Sequence, residues 1–398
     1  MTNYRTLDDH DFSKDRVLLR LDLNLPSQGG IISDPTRLTK AIPTILRLAS
    51  QGAKVIIISH FGRPKGKIVE EMSMEQIFSS LCAALEGFNV KFIPHSIGPK
   101  VVEDIKSMKN GEICLLENLR FHPGEEKNDP EFSKNLALLG DCFVNDAFSV
   151  SHRAHASTEG IAKLMPSFAG PLMDLELKAL SNSLEQPKRP LTAIIGGAKI
   201  STKLDLLRNI VQLVDKMIVG GGMANTFLFA RGVPIGNSLV EKDLTDLVQN
   251  IERLAAENSC EIILQNDALI ATKLENGANY KAVELDDISK NAMILDAGPN
   301  SIPMFSNHVR NSKTIVWNGP LGAFEYPPFD TSTKAIAKLV GKLSQRDDLY
   351  SIAGGGDTLA ALNQAGVIKK FNYVSTAGGA FLEWLEGKEL PGIAALKP

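Results

Sequence analysis

The sequence predicts an α/β protein of two domains, each a doubly wound parallel sheet with helices on both faces, joined by a connecting helix and hinge. Three observations carry this. Short β-rich apolar runs alternate with helix-like stretches from end to end, as βαβ units require. The length of 398 residues suits two or three domains. A proline-rich break, Gln186-Pro-Lys-Arg-Pro190, follows a helical stretch near the middle of the chain.

In the first half the predicted strands are Val17–Leu25, Lys54–Ser59, Val90–Ile93, Glu112–Leu116 and Asp141–Asn145. In the second half they are Leu191–Ile195, Lys216–Val219, Glu261–Leu264, Ala292–Leu295, Thr314–Val316, Leu349–Ile352 and Asn372–Ser375. One helix is well marked. Asp34 suits an N-cap and Pro35 a first helical position, and apolar residues then recur at Leu38, Ala41, Ile42, Ile45, Leu48 and Ala49 before Gly52. Gly170-Pro171 opens a further helix, Leu172–Leu184, that precedes the break. The boundaries are an N-terminal domain over 1–169, an interdomain helix over 170–186 and a C-terminal domain from 187. Both halves are expected to be Rossmann-like. No low-complexity segment or short internal repeat interrupts them.

Composition excludes several classes. Hydrophobic residues make up 43% and charged residues 22%, so each domain can bury a core. A net charge of −3 argues against a nucleic-acid partner or a membrane surface. No run of about 18 apolar residues is present and the first residues lack the apolar core of a signal peptide, so the expected compartment is cytoplasmic. Cys82, Cys114, Cys142 and Cys260 form no C-x-x-C pair and read as free thiols in a reducing compartment.

In the first half, each strand end opens into a charged loop. These are Asp22-Leu23-Asn24 with Pro26, His60-Phe61-Gly62-Arg63-Pro64, Glu117 to Arg120 and His122, and Asn145-Asp146 followed by His152-Arg153-Ala-His155. Ligands of open α/β sheets bind beyond the carboxyl ends of the strands. One such arginine alone is more often a solvated surface charge, but four such loops on one sheet edge converge on a crevice for a small polyanion. Arg37 joins them from a helix N-terminus, where a cation opposes the macrodipole and a bound anion would relieve the conflict. His122, His152 and His155 can equally hold loops by hydrogen bonding. No H-E-x-x-H metal spacing and no G-x-S-x-G elbow occurs.

In the second half, strands end in glycine: Gly196-Gly197-Ala-Lys199 with Lys203, Gly220-Gly221-Gly222, Trp317-Asn318-Gly319-Pro320 with Glu325, Gly354-Gly355-Gly356-Asp357-Thr358, and Gly378-Gly379. Glycine lets backbone N–H groups approach a phosphate, and the following helix points its positive end at the anion. Glycine also serves tight turns and close packing, yet five clusters at successive strand ends point to a nucleotide. Asp357 opens one such helix and could face a Mg²⁺ ion. Lys199 and Lys203 would face the same phosphates if they shared a helical turn. The Walker pattern G-x-x-x-x-G-K-[ST] is absent and G-x-G-x-x-G is missed by one residue at Asn225 and at Leu359. One domain for an anion and one for a nucleotide with Mg²⁺ suits phosphoryl transfer.

The strings Arg20-Leu-Asp-Leu-Asn-Leu-Pro26, Ser59-His-Phe-Gly-Arg-Pro64, Leu115-Leu-Glu-Asn-Leu-Arg-Phe-His122, His152-Arg-Ala-His-Ala-Ser157, Gly196-Gly-Ala-Lys199, Trp317-Asn-Gly-Pro320 and Gly354-Gly-Gly-Asp-Thr358 resemble, in order and over essentially the whole chain, the phosphoglycerate kinase family. The resemblance implies a reversible, Mg²⁺-dependent transfer between 1,3-bisphosphoglycerate and ADP, giving 3-phosphoglycerate and ATP in glycolysis and gluconeogenesis. It implies that Asp22, Leu23, Asn24, Arg37, His60, Phe61, Gly62, Arg63, Arg120 and Arg153 hold the phosphoglycerate. It implies that Gly196, Gly197, Lys199, Lys203, Gly220, Gly221, Asn318, Pro320 and Glu325, with Gly354, Gly355, Gly356, Asp357 and Thr358, hold the nucleotide. Asp357 would face the metal, and Arg37, Lys199, Gly356 and Gly379 would stabilise charge on the moving phosphoryl group. It further implies that residues 381–398 return to pack on the first domain, leaving the C-terminal domain as 187–380, and that the protein is a hinge-bending monomer.

Two positions depart from the family pattern. Thr202 stands where many members carry an aspartate between the two lysines, so any help an acid there would give Lys199 is in doubt. Leu264-Gln-Asn-Asp267 stands where the family reads Leu-Pro-Val-Asp, and is expected to alter a loop near the domain surface. Two rival readings are a nicotinamide-dependent dehydrogenase, which NADH binding would reveal, and a non-catalytic binding protein, whose mark would be loss of Lys199 or Arg37.

Overall fold

The computed structural model describes residues 4–28 and 31–397. The chain forms two compact units, one running up to Leu177 and completed by the segment from Glu389 onward, the other Lys178–Lys388.

In the first unit the strands are β1 (Arg16–Arg20), β2 (Ser27–Gln28), β3 (Ile31–Ile32), β4 (Lys54–Ile58), β5 (Val90–Ile93), β6 (Ile113–Leu116), β7 (Cys142–Asn145) and β8 (Ser167–Ala169). Six form one parallel sheet in the order β5-β6-β4-β1-β7-β8, while β2 and β3 pair as a short antiparallel hairpin. Val17, Leu19, Val55, Ile57, Ile113, Leu115 and Val144 alternate along the central strands onto one face. Leu38, Ala41, Ile45, Leu48 and Ala49 of the helix Thr36–Ser50 pack against that face at the spacing read from the sequence. The helix begins one residue later than expected, and Asp34 receives the N–H of Thr36 at 2.9 Å.

In the second unit the strands are β9 (Leu191–Ile195), β10 (Lys216–Val219), β11 (Glu261–Ile263), β12 (Asp267–Ala271), β13 (Tyr280–Glu284), β14 (Met293–Ala297), β15 (Thr314–Asn318), β16 (Tyr350–Gly354) and β17 (Tyr373–Ser375). The parallel sheet runs β11-β10-β9-β15-β16-β17. Renumbered within the unit this is 3-2-1-4-5-6, the dinucleotide-fold order, with its topological switch point between β9 and β15. The fold class is therefore as the sequence predicts.

The differences are local. β14 does not join the parallel sheet but lies in a separate antiparallel sheet, β13-β12-β14, two strands of which escaped the sequence reading. The solvent-facing polar residues of β13 hide its strand character. The helix expected over Leu172–Leu184 is α-helical over Pro171–Leu180 and then relaxes into a π-helical turn, Ser181–Glu185. All four cysteines are free, and burial pushes the thiols of Cys142 and Cys260 up to about 12.

Asp146, just past β7, fixes the start of the helix Pro171–Leu180. It accepts the N–H groups of Leu172 and Met173 at 2.7 and 3.0 Å and the hydroxyl of Thr44 at 2.6 Å. The group is buried, which raises its pKa against these three stabilising bonds. Asp146→Ala leaves three buried donors unpaired, at roughly 1–3 kcal/mol for each group not rescued by water. The expected outcome is a loss of about 3 kcal/mol of stability, read as an earlier urea midpoint with the same slope.

Candidate active site

In the first unit the loops after β1, β4, β6 and β7 all leave the carboxyl edge of the sheet. Asp22 and Asn24 follow β1. Arg37 Nη1 donates to Asn24 O at 2.9 Å and lies 3.1 Å from Asp22 Oδ2. The cation at this helix N-terminus is thus met in part by a carboxylate within the chain. Asn24 Oδ1 accepts the N–H of Gly62 at 2.9 Å, tying the β1 loop to the β4 loop. Arg120 donates to Gly62 O at 2.9 Å from the β6 loop, and Asn118 holds Phe61 O and Met72 O at 2.7 and 2.8 Å. Arg63 is exposed and Arg153 half-buried.

Beneath these loops lies a layer that the sequence reading missed. Arg20, at the end of β1, is 1% exposed. Its guanidinium donates to Ser157 Oγ at 2.9 Å and to Leu21 O, and lies 3.0 Å from His60 Nδ1. Ser157 in turn donates from N and Oγ to Glu125, at 3.0 and 2.6 Å. The one available signal was a charge closing an apolar run, Val17-Leu-Leu-Arg20.

Electrostatics show what this layer is under. Burial lowers the Arg20 pKa to about 10, opposed by Glu125 and Asp22. Burial likewise lowers Arg120, with Arg153 and Arg63 adding to the fall and Glu126 opposing it. The His60 ring is held well below its ordinary range by burial and then by Arg20, Arg120 and Arg153. His155 is pushed down to about 3 by burial and the same three arginines. Three guanidinium groups therefore surround two neutral imidazoles, and each cation raises the cost of its neighbours. An anion in the crevice would relieve all of them together.

In the second unit the site lies at the switch point. Lys203 Nζ donates to Gly196 O at 2.7 Å and to Asn318 Oδ1 at 2.6 Å, while Asn318 Nδ2 donates to Gly354 O at 2.9 Å. One side chain and one half-buried ammonium thus join the ends of β9, β15 and β16. Thr358, in the first turn of the helix Gly356–Gln364, accepts the N–H of Gly319 at 2.7 Å. Asp357 beside it is exposed, as are Gly356 and Lys199.

The two lysines do not share a helical turn. Ser201–Lys203 is a 3₁₀ turn, which sends Lys203 inward and leaves Lys199 in solvent. Thr202 donates its hydroxyl to Lys199 O at 2.9 Å, so it braces the loop that carries Lys199.

The glycines divide in two. A Cβ on Gly196 would fall 1.7 Å from Pro320 O, so this glycine answers a backbone crossing. A Cβ on Gly356 would meet nothing within 4 Å, so no close crossing requires this glycine. The helix Gly379–Leu385 follows β17, and its Phe381 packs on Gly354.

A cavity of about 320 Å³ adjoins these turns. Its lining includes Gly197, Gly221, Pro320, Glu325 and Asp357, all expected from the sequence. It also includes Leu239, Leu274, Met293, Leu295 and Phe324, which read as ordinary core residues. Gln265 lines it too and is 4% exposed, so this departure from the family pattern alters a buried wall and not a surface loop. Asp296, at the cavity, is raised to about 7 by burial against hydrogen bonds from Ser332 and Ala297.

Residues 7–388 match the model of the phosphoglycerate kinase family. The chain is 51% identical over 393 residues to the phosphoglycerate kinase of Cereibacter sphaeroides, with 99% of each chain covered. It is 53% identical over 398 residues to that of Chelativorans sp., with 100% of each covered. The structure of phosphoglycerate kinase from Coxiella burnetii superposes with a TM-score of 0.93 at 42% identity, over 99% of this chain and 98% of that one. The chain belongs to the phosphoglycerate kinase family.

Glu125→Gln should destabilise the first unit by about 3 kcal/mol, because it strips a fully buried guanidinium of its carboxylate. Urea unfolding of the two proteins checks this. A loss below about 1 kcal/mol would mean that Ser157 and Leu21 O alone satisfy Arg20.

Proposed function

We propose that the basic crevice of the first unit holds the phosphoglycerate and that the cavity of the second unit holds the nucleotide, as a phosphoglycerate kinase requires. The reaction is reversible phosphoryl transfer between 1,3-bisphosphoglycerate and ADP, giving 3-phosphoglycerate and ATP. The observation that carries the assignment is the set of mutually destabilised cations around His60 and His155.

Asp22, Asn24, His60, Arg63, Arg120 and Arg153 bind and orient the acid. Arg37 sits at the rim of their crevice, held by Asn24 O, and lends charge to the moving phosphoryl group. Lys199 reaches the same group from its exposed loop. The backbone N–H groups of Gly356, Gly378 and Gly379 add donors. A carboxylate oxygen is already a competent nucleophile, so no general base is assigned. Because the two substrates are assigned to different units, transfer needs a hinge motion that brings them in line and excludes water.

Among the described residues no group of three or more His, Cys, Asp or Glu side chains forms a metal cage. Mg²⁺ that enters with a nucleotide needs only one or two protein carboxylates, and Asp357 fits that role. The ion would supply neutralisation of phosphate charge. Among the described residues no helix is long and apolar enough to cross a membrane. We read the protein as a cytoplasmic monomer.

The test is ATP- and 3-phosphoglycerate-dependent NADH oxidation coupled through glyceraldehyde-3-phosphate dehydrogenase, with and without Mg²⁺. Activity should require Mg²⁺, and Arg37→Ala should lower kcat about 10²–10³-fold with little change in nucleotide affinity. An unchanged kcat removes Arg37 from the transition state.

Lys203 gives a second test. Burial lowers its pKa to about 8, with Asp357 opposing the fall. The unfolded chain keeps this proton up to its ordinary 10.5, so between these values the unfolded state binds more protons and stability rises with pH. Nucleotide affinity moves the other way as the charge is lost. kcat/KM for ADP should therefore fall through an apparent pKa near 8, and Lys203→Arg should remove that limb.

A further inference from the structure

The cavity of the second unit has apolar walls, among them Leu239, Leu274, Met293, Leu295 and Phe324. Two amides interrupt them. Asn225 and Gln265 are 2% and 4% exposed, and each has a polar atom without a partner among the described residues, Oδ1 of Asn225 and Nε2 of Gln265. Buried polar atoms are nearly always paired, so two orphans on one cavity wall point to a ligand that pairs them.

Their orientation is constrained. Asn225 Nδ2 donates to Leu239 O at 3.2 Å, which leaves Oδ1 as a fixed acceptor. Gln265 lies just beyond the carboxyl end of β11, two residues before Asp267. Asp267 accepts the N–H groups of Asn300 and Ser301, each at 2.8 Å, and so pins this turn to the helix Ser301–Arg310. The cavity thus offers one acceptor and one donor on rigid supports, between walls that suit the faces of a planar ring. Adenine carries the complement, a 6-amino donor beside a ring-nitrogen acceptor, which asparagine and glutamine amides recognise elsewhere.

We propose that Asn225 and Gln265 read the base edge, Asn225 Oδ1 accepting from the 6-amino group and Gln265 Nε2 donating to the neighbouring ring nitrogen, so that this chain selects 6-aminopurine nucleotides. The proposal rests on assigning the cavity to the nucleotide.

Calorimetry on the full chain tests it, with ADP and with purine riboside 5′-diphosphate, which lacks the 6-amino group. The wild-type protein should bind ADP about tenfold more tightly, since a site built to donate and accept rejects an analogue that leaves its groups unpaired. Asn225→Leu should weaken ADP binding and shrink the preference to about twofold, because it removes the acceptor of the 6-amino group, the one group in which the two nucleotides differ. A purely structural role of Asn225 would weaken both nucleotides alike and leave their ratio intact, and that result overturns the proposal. If Asn225→Leu does not fold, the wild-type ratio decides alone. Equal wild-type affinity for the two nucleotides means that the amides hold water, which overturns base reading and leaves the cavity assignment standing. Failure of either nucleotide to bind the wild-type protein overturns the cavity assignment itself.

Discussion

At the switch point of the second sheet, the ends of β9 and β15 lie too close for any side chain on Gly196. That backbone crossing sets the rest of the unit in place. It aims Gly196 O and Asn318 Oδ1 at one point, and the ammonium of Lys203 fills it. Because Asn318 also holds Gly354, the turn into the helix Gly356–Gln364 is fixed from the same centre. Burying a charge is unfavourable, and the lowered pKa of Lys203 measures how far it stays so despite its partners. The cation is kept half-compensated at the spot to which we assign the nucleotide phosphates.

The first unit solves the inverse problem. Its crevice gathers more cations than its carboxylates match, and the strain is contained one layer down by Glu125 and Ser157 around Arg20. Arg20 does not reach outward. It bonds to His60 Nδ1 and, through Ser157, to the turn of Glu125, so it positions the ring while the upper arginines stay available. Both units therefore keep electrostatic tension where a ligand would sit and neutralise it below.

Much of this was legible from residues alone. The parallel strands announced themselves as apolar runs ending in charge or glycine, so the carboxyl edges of both sheets could be located before any coordinates. Direction was harder to read. Lys199 and Lys203 are alike in sequence, and only the 3₁₀ geometry of Ser201–Lys203 separates the buried one from the exposed one. The cavity walls carried no signal, because Leu239, Met293 and Phe324 would look the same in a sealed core. β12 and β13 were missed for a related reason: an antiparallel pair with one wet face does not follow the βαβ rhythm. Gln265 was noticed as a departure, but burial was needed to turn it from a loop variant into a cavity wall.

Asp146 joins three stretches of chain that are far apart in sequence. Its carboxylate takes the hydroxyl of Thr44 from the helix that carries Arg37, and it takes the first N–H groups of the helix Pro171–Leu180. A side chain on Gly170 would fall 2.4 Å from that carboxylate. None of the three positions can drift by itself: a larger residue at 170 displaces the acid, a longer acid at 146 moves the carboxylate off the helix N–H groups, and an apolar residue at 44 leaves an oxygen without its donor. In evolutionary terms they form a single heritable unit, and lineages that change one should carry matched changes at the others.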